Sequence, residues 1–119
     1  MKTYRDLIVW QKSIQFVTNV YKATHKFPQE ELYGLTSQIR RCSVSIPSNI
    51  AEGYGRKSTQ DYLRFLRISM GTLFELQTQI EIALNLKYLQ QEDFNGLFES
   101  SREIERMLSS LISKVKPNV

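Results

Sequence analysis

A helical apolar stripe that carries a proline in its middle constrains this chain most. Through Leu32 to Lys57, LYGLTSQIRRCSVSIPSNIAEGYGRK, apolar or small residues recur at Leu32, Leu35, Ile39, Cys42, Ile46, Asn49/Ile50 and Gly53. Alternating three- and four-residue steps put these side chains on one face of a helix. Pro47 lies inside the stripe, which passes it without slipping by a residue. Proline removes a backbone donor and presses on the preceding turn, which costs about 3 kcal/mol in a helix interior. The pattern therefore predicts one long, proline-kinked helix. Phe27-Pro28 bounds it before, and Gly53-Tyr54-Gly55 closes it with a tight connection.

Three further helices are expected around it. Residues 6–26 carry one stripe at Leu7, Trp10, Ile14, Val17 and Tyr21 and a second face at Val9, Phe16 and Val20. A helix apolar on two sides is buried on two sides, and four helices of this size cannot enclose one of their own. The first stripe is read as core and the second face as an intersubunit contact; scattered surface hydrophobes are the alternative. Residues 59–86 carry a core stripe at Tyr62, Leu66, Ser69, Leu73, Leu76, Ile80 and Ala83. Leu63, Met70 and Phe74 flank it and are assigned to the same intersubunit contact. Ser58 with Asp61 three positions on reads as the N-cap. Gly71 inside this helix is attributed to close helix–helix contact, because glycine there costs about 1 kcal/mol against alanine.

The last helix opens at Gln90 to Asp93 and runs through Phe94, Leu97, Ser101, Ile104, Leu108, Leu111 and Val115, with Phe98 and Ile112 beside them. Lys114 and Lys116 suit its negative end and Pro117 its stop. With no strand pattern or repeat, the expected architecture is all-α. It is one domain, residues 1–119, forming an antiparallel up-down-up-down four-helix bundle. At 41% apolar residues, 119 residues suffice for a continuous core.

No run of about 18 apolar residues suggests a membrane span, and residues 1–6 do not open a signal peptide. The lone Cys42 cannot form an internal disulfide, and its place on the stripe suits a buried thiol. A reducing, cytoplasmic location is the expectation.

Charge is unevenly placed. Between Thr36 and Gly71, Arg40, Arg41, Arg56, Lys57, Arg64 and Arg67 stand against Glu52 and Asp61; the remaining ten basic and ten acidic residues cancel. A local basic field favours polyanions, and the arginine fork matches phosphate oxygens. These six residues are the candidates for RNA or DNA contact. Arg56 and Lys57 also precede a helix N-terminus, where orphan backbone donors attract anions. The competing reading is structural: Glu52–Arg56 and Asp61–Arg64 are i,i+4 and i,i+3 pairs, and Arg41 suits an intersubunit salt bridge. Tyr54, between two glycines, is a candidate for stacking on a base or for packing on the bundle end.

Catalysis is not expected. Ser48, Asn49 and Glu52 have no histidine or second carboxylate to work with. Asn49 reads instead as a polar core residue that sets helix register, and Glu52 as a partner across the interface. A bundle di-iron site needs Glu-x-x-His motifs, and His25, the only histidine, follows no such glutamate; no metal or cofactor is expected. A core thiol at Cys42 stays protonated and inert. Gly53-Tyr54-Gly55-Arg56-Lys57-Ser58 lacks the first glycine and the preceding strand of a phosphate loop. Without a lysine-rich helix face opposite an exposed apolar one, membrane binding is not expected either.

Several motifs resemble the "four helix bundle protein" family, first noticed as reading frames within intervening sequences of 23S ribosomal RNA genes. They are Asp6-Leu7-x-Val9-Trp10-Gln11-Lys12, then Phe27-Pro28-x-Glu30-x-x-x-Gly34-Leu35-x-x-Gln38-x-Arg40-Arg41, then Ser45-Ile46-Pro47-Ser48-Asn49-Ile50-Ala51-Glu52-Gly53, and Gly71-Thr72-Leu73-x-Glu75-Leu76. They occur in the family's order and cover nearly the whole chain. The resemblance implies a four-helix bundle that assembles into a homopentameric ring, with RNA binding supposed from gene location and charge. More distantly, the chain is similar to the accessory protein of diversity-generating retroelements, a basic pentamer that binds nucleic acid and a reverse transcriptase. Two functions follow as expectations. The first is a non-enzymatic oligomer that binds RNA or DNA; the second is an assembly module whose arginines serve the ring alone.

Overall fold

The computed structural model describes residues 2–115. Four helices follow one another: α1 (Ile8–Thr24), α2 (Leu35–Tyr54), α3 (Thr59–Asn85) and α4 (Gln91–Lys114). Single 3-10 turns at Tyr4–Asp6 and Gln29–Glu31 precede α1 and α2. The expected stop at Lys116 and Pro117 lies outside the described residues.

Side-chain pairs fix the order and direction of the helices. Ser69 on α3 donates to the Ile46 carbonyl on α2 at 3.0 Å, while Gly53 meets Tyr62 and Phe65. Arg40 reaches back to Thr24, Lys12 pairs with Glu103 and Lys26 with Asp93, and Gln77 bonds Ser101. Between α2 and α3, and between α1 and α4, the position rises on one helix as it falls on the other; α1 and α2, like α3 and α4, pack against each other across a short connection that reverses the chain. The chain is an up-down-up-down bundle about 48 Å long and 24 Å across.

Helix ends are closed by local polar groups. Ser58 accepts from the Asp61 N–H at 3.1 Å, and Thr3 with Asp6 forms a capping box before α1. Helix α2 has no capping residue of its own at Gly34; instead Glu31 accepts the Leu35 N–H at 3.0 Å. The same carboxylate accepts from the Tyr88 hydroxyl at 2.9 Å, which ties the start of α2 to the α3–α4 turn. The stripe of the second helix thus begins at Leu35, three residues later than expected. Gln29–Glu31 forms a separate turn, and Leu32 is exposed.

Helix α2 continues through Pro47, which is buried with Ile39, Cys42, Ser43, Ile46, Ile50 and Gly53. Gly53 lets α3 approach α2 closely, and these two helices are the most closely packed pair. Asn49 is only half-buried, and its amide donates to the Ser45 carbonyl and hydroxyl within α2. It holds its own helix and reaches no other, contrary to the register role expected of it.

The two faces of α1 are the reverse of the expectation. Val9, Ser13, Phe16, Val20 and Thr24 point into the core, with Phe16 2% and Val20 0% exposed. Trp10 and Val17 are half-buried, and Ile14 and Tyr21 are exposed. Val9, Phe16 and Val20 therefore belong to the chain's own core and not to a contact between subunits. Leu63 is buried as well, and Met70 packs half-buried against the core. Of the six residues assigned to an interface, only Phe74 is largely exposed, at 46%.

Gly71 is exposed, and a Cβ placed there meets nothing within 4 Å. The close approach expected there occurs at Gly53 instead. Gly71→Ala is therefore expected to stabilise the chain by about 0.5–1 kcal/mol, through reduced backbone entropy of the unfolded state. A urea titration reads this as a higher midpoint at unchanged slope. A lower midpoint shows that a second chain packs on this face.

Candidate nucleic-acid interface

The six basic candidates fall into two groups. Arg40 and Arg41 lie in the first half of α2, whereas Arg56, Lys57, Arg64 and Arg67 surround the α2–α3 turn. Arg56 lies fifteen positions after Arg41, just past the end of α2, or about 22 Å along the axis at the helical rise.

Arg40 works inside the fold. Its Nε donates to the Thr24 hydroxyl at 2.9 Å, a terminal nitrogen reaches the Tyr21 carbonyl at 3.5 Å, and the guanidinium lies 4.6 Å from the Tyr21 ring centroid. It clips α2 to α1 and offers little to a phosphate. Arg41 is exposed on the other flank of α2, along a shallow groove shared with Gln38, Cys42, Ser45, Thr72 and Glu75. Burial pushes the Cys42 thiol above its ordinary pKa, and the Glu75 carboxylate adds to the shift. The thiol is accordingly a poor nucleophile.

At the turn, two arginines bracket one ring. The guanidinium of Arg56 lies 4.8 Å and that of Arg64 4.5 Å from the Phe65 centroid. Arg56 also pairs with Glu52 at 2.8 Å, and Arg64 with Asp61 at 3.6 Å. Both pairs are exposed, so water screens them and they contribute a few tenths of a kcal/mol. Glu52 is spent on this local pair at the end of α2 rather than on a contact across subunits. Lys57 and Arg67 are exposed and make no ion pair among the described residues. Tyr54 is half-buried edge-on to Tyr62, with centroids 6.0 Å apart. It packs on the bundle end and is not displayed for stacking.

The antiparallel topology brings further cations to this end. Lys2 and Arg5 precede α1, and Lys114 ends α4, so the start of α1 and the end of α4 lie at the same end of the bundle as the α2–α3 turn. Residues 2–6, 52–67 and 111–115 hold seven basic side chains against Asp6, Glu52 and Asp61. The opposite end, residues 22–34 and 81–93, holds five carboxylates against three lysines. The bundle is electrically bipolar along its length. Sequence reasoning missed Lys2, Arg5 and Lys114, although the even number of helices was the signal that could have placed them.

A sequence profile described as 23S rRNA-intervening sequence protein matches residues 5–110. The chain belongs to that family. Among solved structures, this 23S rRNA-intervening sequence family member is similar to a protein of unknown function from the S23 ribosomal protein family of Bacteroides thetaiotaomicron. The two share 24% identity over 89% of this chain and 96% of that one, with a TM-score of 0.82. That likeness concerns the fold. No curated protein matches this family member. Among the described residues, no helix is long and apolar enough to cross a membrane.

Proposed function

We propose that this protein is a non-enzymatic, cytoplasmic, self-assembling helical bundle that binds RNA or DNA through phosphates at its α2–α3 end. The observation that carries the reading is the gathering of Arg56, Lys57, Arg64 and Arg67, with Arg5 and Lys114, at one end of the bundle. Phosphate contacts supply most sequence-independent affinity for nucleic acid. With Tyr54 packed against Tyr62, the end offers cations and no base-stacking platform.

Self-assembly draws support from apolar surface left uncovered. Trp10, Ile14 and Val17 of α1 and Val44 and Ala51 of α2 line one groove, and Ile68, Phe74 and Ile82 stand exposed on α3. Of these residues only Phe74 was expected at an interface from the sequence. A side-by-side ring of five copies, the assembly that the family resemblance implies, sets five basic ends on one face. Linked sites of this kind raise avidity without any new contact.

Titration against a short duplex at several salt concentrations tests the reading. Log affinity is expected to fall linearly with log salt. The slope should flatten by about 0.9 for each phosphate left without its cation in Lys57→Ala and Arg67→Ala, and Arg40→Ala should leave it unchanged. Absent binding at low salt, or a slope indifferent to Lys57 and Arg67, overturns it. The second reading, an assembly module that never touches nucleic acid, draws on the inward use of Arg40 and on the apolar groove. It stands if lateral association persists while binding is absent.

A further inference from the structure

The acidic end carries more than charge. Tyr33, in the turn between Gln29–Glu31 and α2, is 94% exposed, and Leu32 beside it and Leu86 at the end of α3 are exposed too. The Glu31–Tyr88 hydrogen bond holds the two turns that bear them together. The end that bears this apolar tip holds five carboxylates, the exposed Glu30 and Glu92 among them, against Lys22, Lys26 and Lys87; Lys26 pairs with Asp93. An aromatic ring left in water among carboxylates suits a cationic partner, through both the ring face and the rim.

A surface of the matching kind exists on the same chain. The other end presents Arg5, Lys57 and Arg67, together with Ile8, 61% exposed at the start of α1. We propose that the acidic, tyrosine-tipped end of one copy docks on the basic end of a second copy, so that the bundles stack head to tail. The contact is heterologous and does not close, so it grows into rods.

Its strength follows from its size. A 24 by 24 Å end covers about 580 Å² on each partner, below the range of stable specific interfaces. Charge complementarity must supply much of the attraction, and salt screens it. Stacking is therefore a low-salt state. It occupies the same cations that the proposed nucleic-acid contact uses, so a polyanion competes with it. The inference rests on the charge of the two ends and stands whether or not nucleic acid binds.

Small-angle scattering of the full chain across protein concentration and salt is the test. At low salt the particle is expected to lengthen with concentration, in steps of about 48 Å at constant cross-section; 0.5 M salt should abolish the growth, on the order of a 3–5 Å screening length. Side-by-side assembly instead widens the cross-section at constant length, which separates the two. Glu30→Lys/Glu92→Lys leaves both ends basic, and Arg5→Glu/Lys57→Glu/Arg67→Glu leaves both ends acidic. Each variant alone should fail to lengthen, and an equimolar mixture should lengthen again. All five positions are exposed, and circular dichroism checks that the variants fold. Growth of either variant alone to the parent's extent, no rescue on mixing, or a parent of constant length at low salt overturns the proposal.

Discussion

Phe16→Ala is expected to lower the unfolding free energy by about 3–5 kcal/mol, whereas Ile14→Ala two residues away should cost less than about 1. Small domains are stable by only about 5–15 kcal/mol, so the first change removes a large part of the total. Phe16 is enclosed by the bundle, and truncation leaves a cavity that neighbouring helices only partly refill. Ile14 lies on the open groove beside Trp10 and Val44. Its loss should instead weaken the proposed self-association, seen as a reduced dependence of the melting temperature on protein concentration. Urea unfolding of both variants at one concentration decides the matter. A larger loss for Ile14 means that α1 is rotated relative to the structure.

Gly53→Ala is expected to cost about 1–3 kcal/mol through overpacking. A Cβ at this position would stand 2.7 Å from the Phe65 Cβ, 3.1 Å from the Tyr62 ring and 3.3 Å from the Tyr62 carbonyl. None of these is the free end of a flexible side chain, so α2 and α3 must part at the turn. The same movement displaces the ring that Arg56 and Arg64 bracket. Calorimetry should therefore show a lower melting temperature, and the proposed nucleic-acid contact at the basic end should weaken with it. An unchanged melting temperature would mean that the two helices have slack there. Gly71→Ala, where the space is open, is the contrasting control.

The arginine candidates show what a linear reading can and cannot place. Arg56, Lys57, Arg64 and Arg67 come together because a tight turn between two antiparallel helices keeps near neighbours in sequence near in space. Arg40 and Arg41 follow one another, yet successive residues on a helix point about 100° apart. One is drawn into Thr24 and Tyr21 and the other left on an open groove. That division depends on where α1 lies, which no local pattern encodes.

By itself the sequence determined four helices, their approximate bounds, the passage of α2 through Pro47 and the core stripes of α2, α3 and α4. Period, capping residues and turn residues act locally, and four antiparallel helices are the natural way to bury four such stripes. Tertiary structure alone decided which face of α1 is inside. Its core stripe is interrupted by Ser13 and Thr24, whereas the stripe through Trp10 and Ile14 has no such gap. In the fold, Ser13 donates to the Val9 carbonyl at 2.7 Å and Thr24 to the Val20 carbonyl at 2.8 Å. A hydroxyl satisfied by its own helix is buried at little cost. Trp10 is half-buried and Tyr21 exposed, an environment that suits amphipathic rings. Apolar spacing counts greasy positions, but only packing against three other helices reveals which gaps in a stripe are harmless.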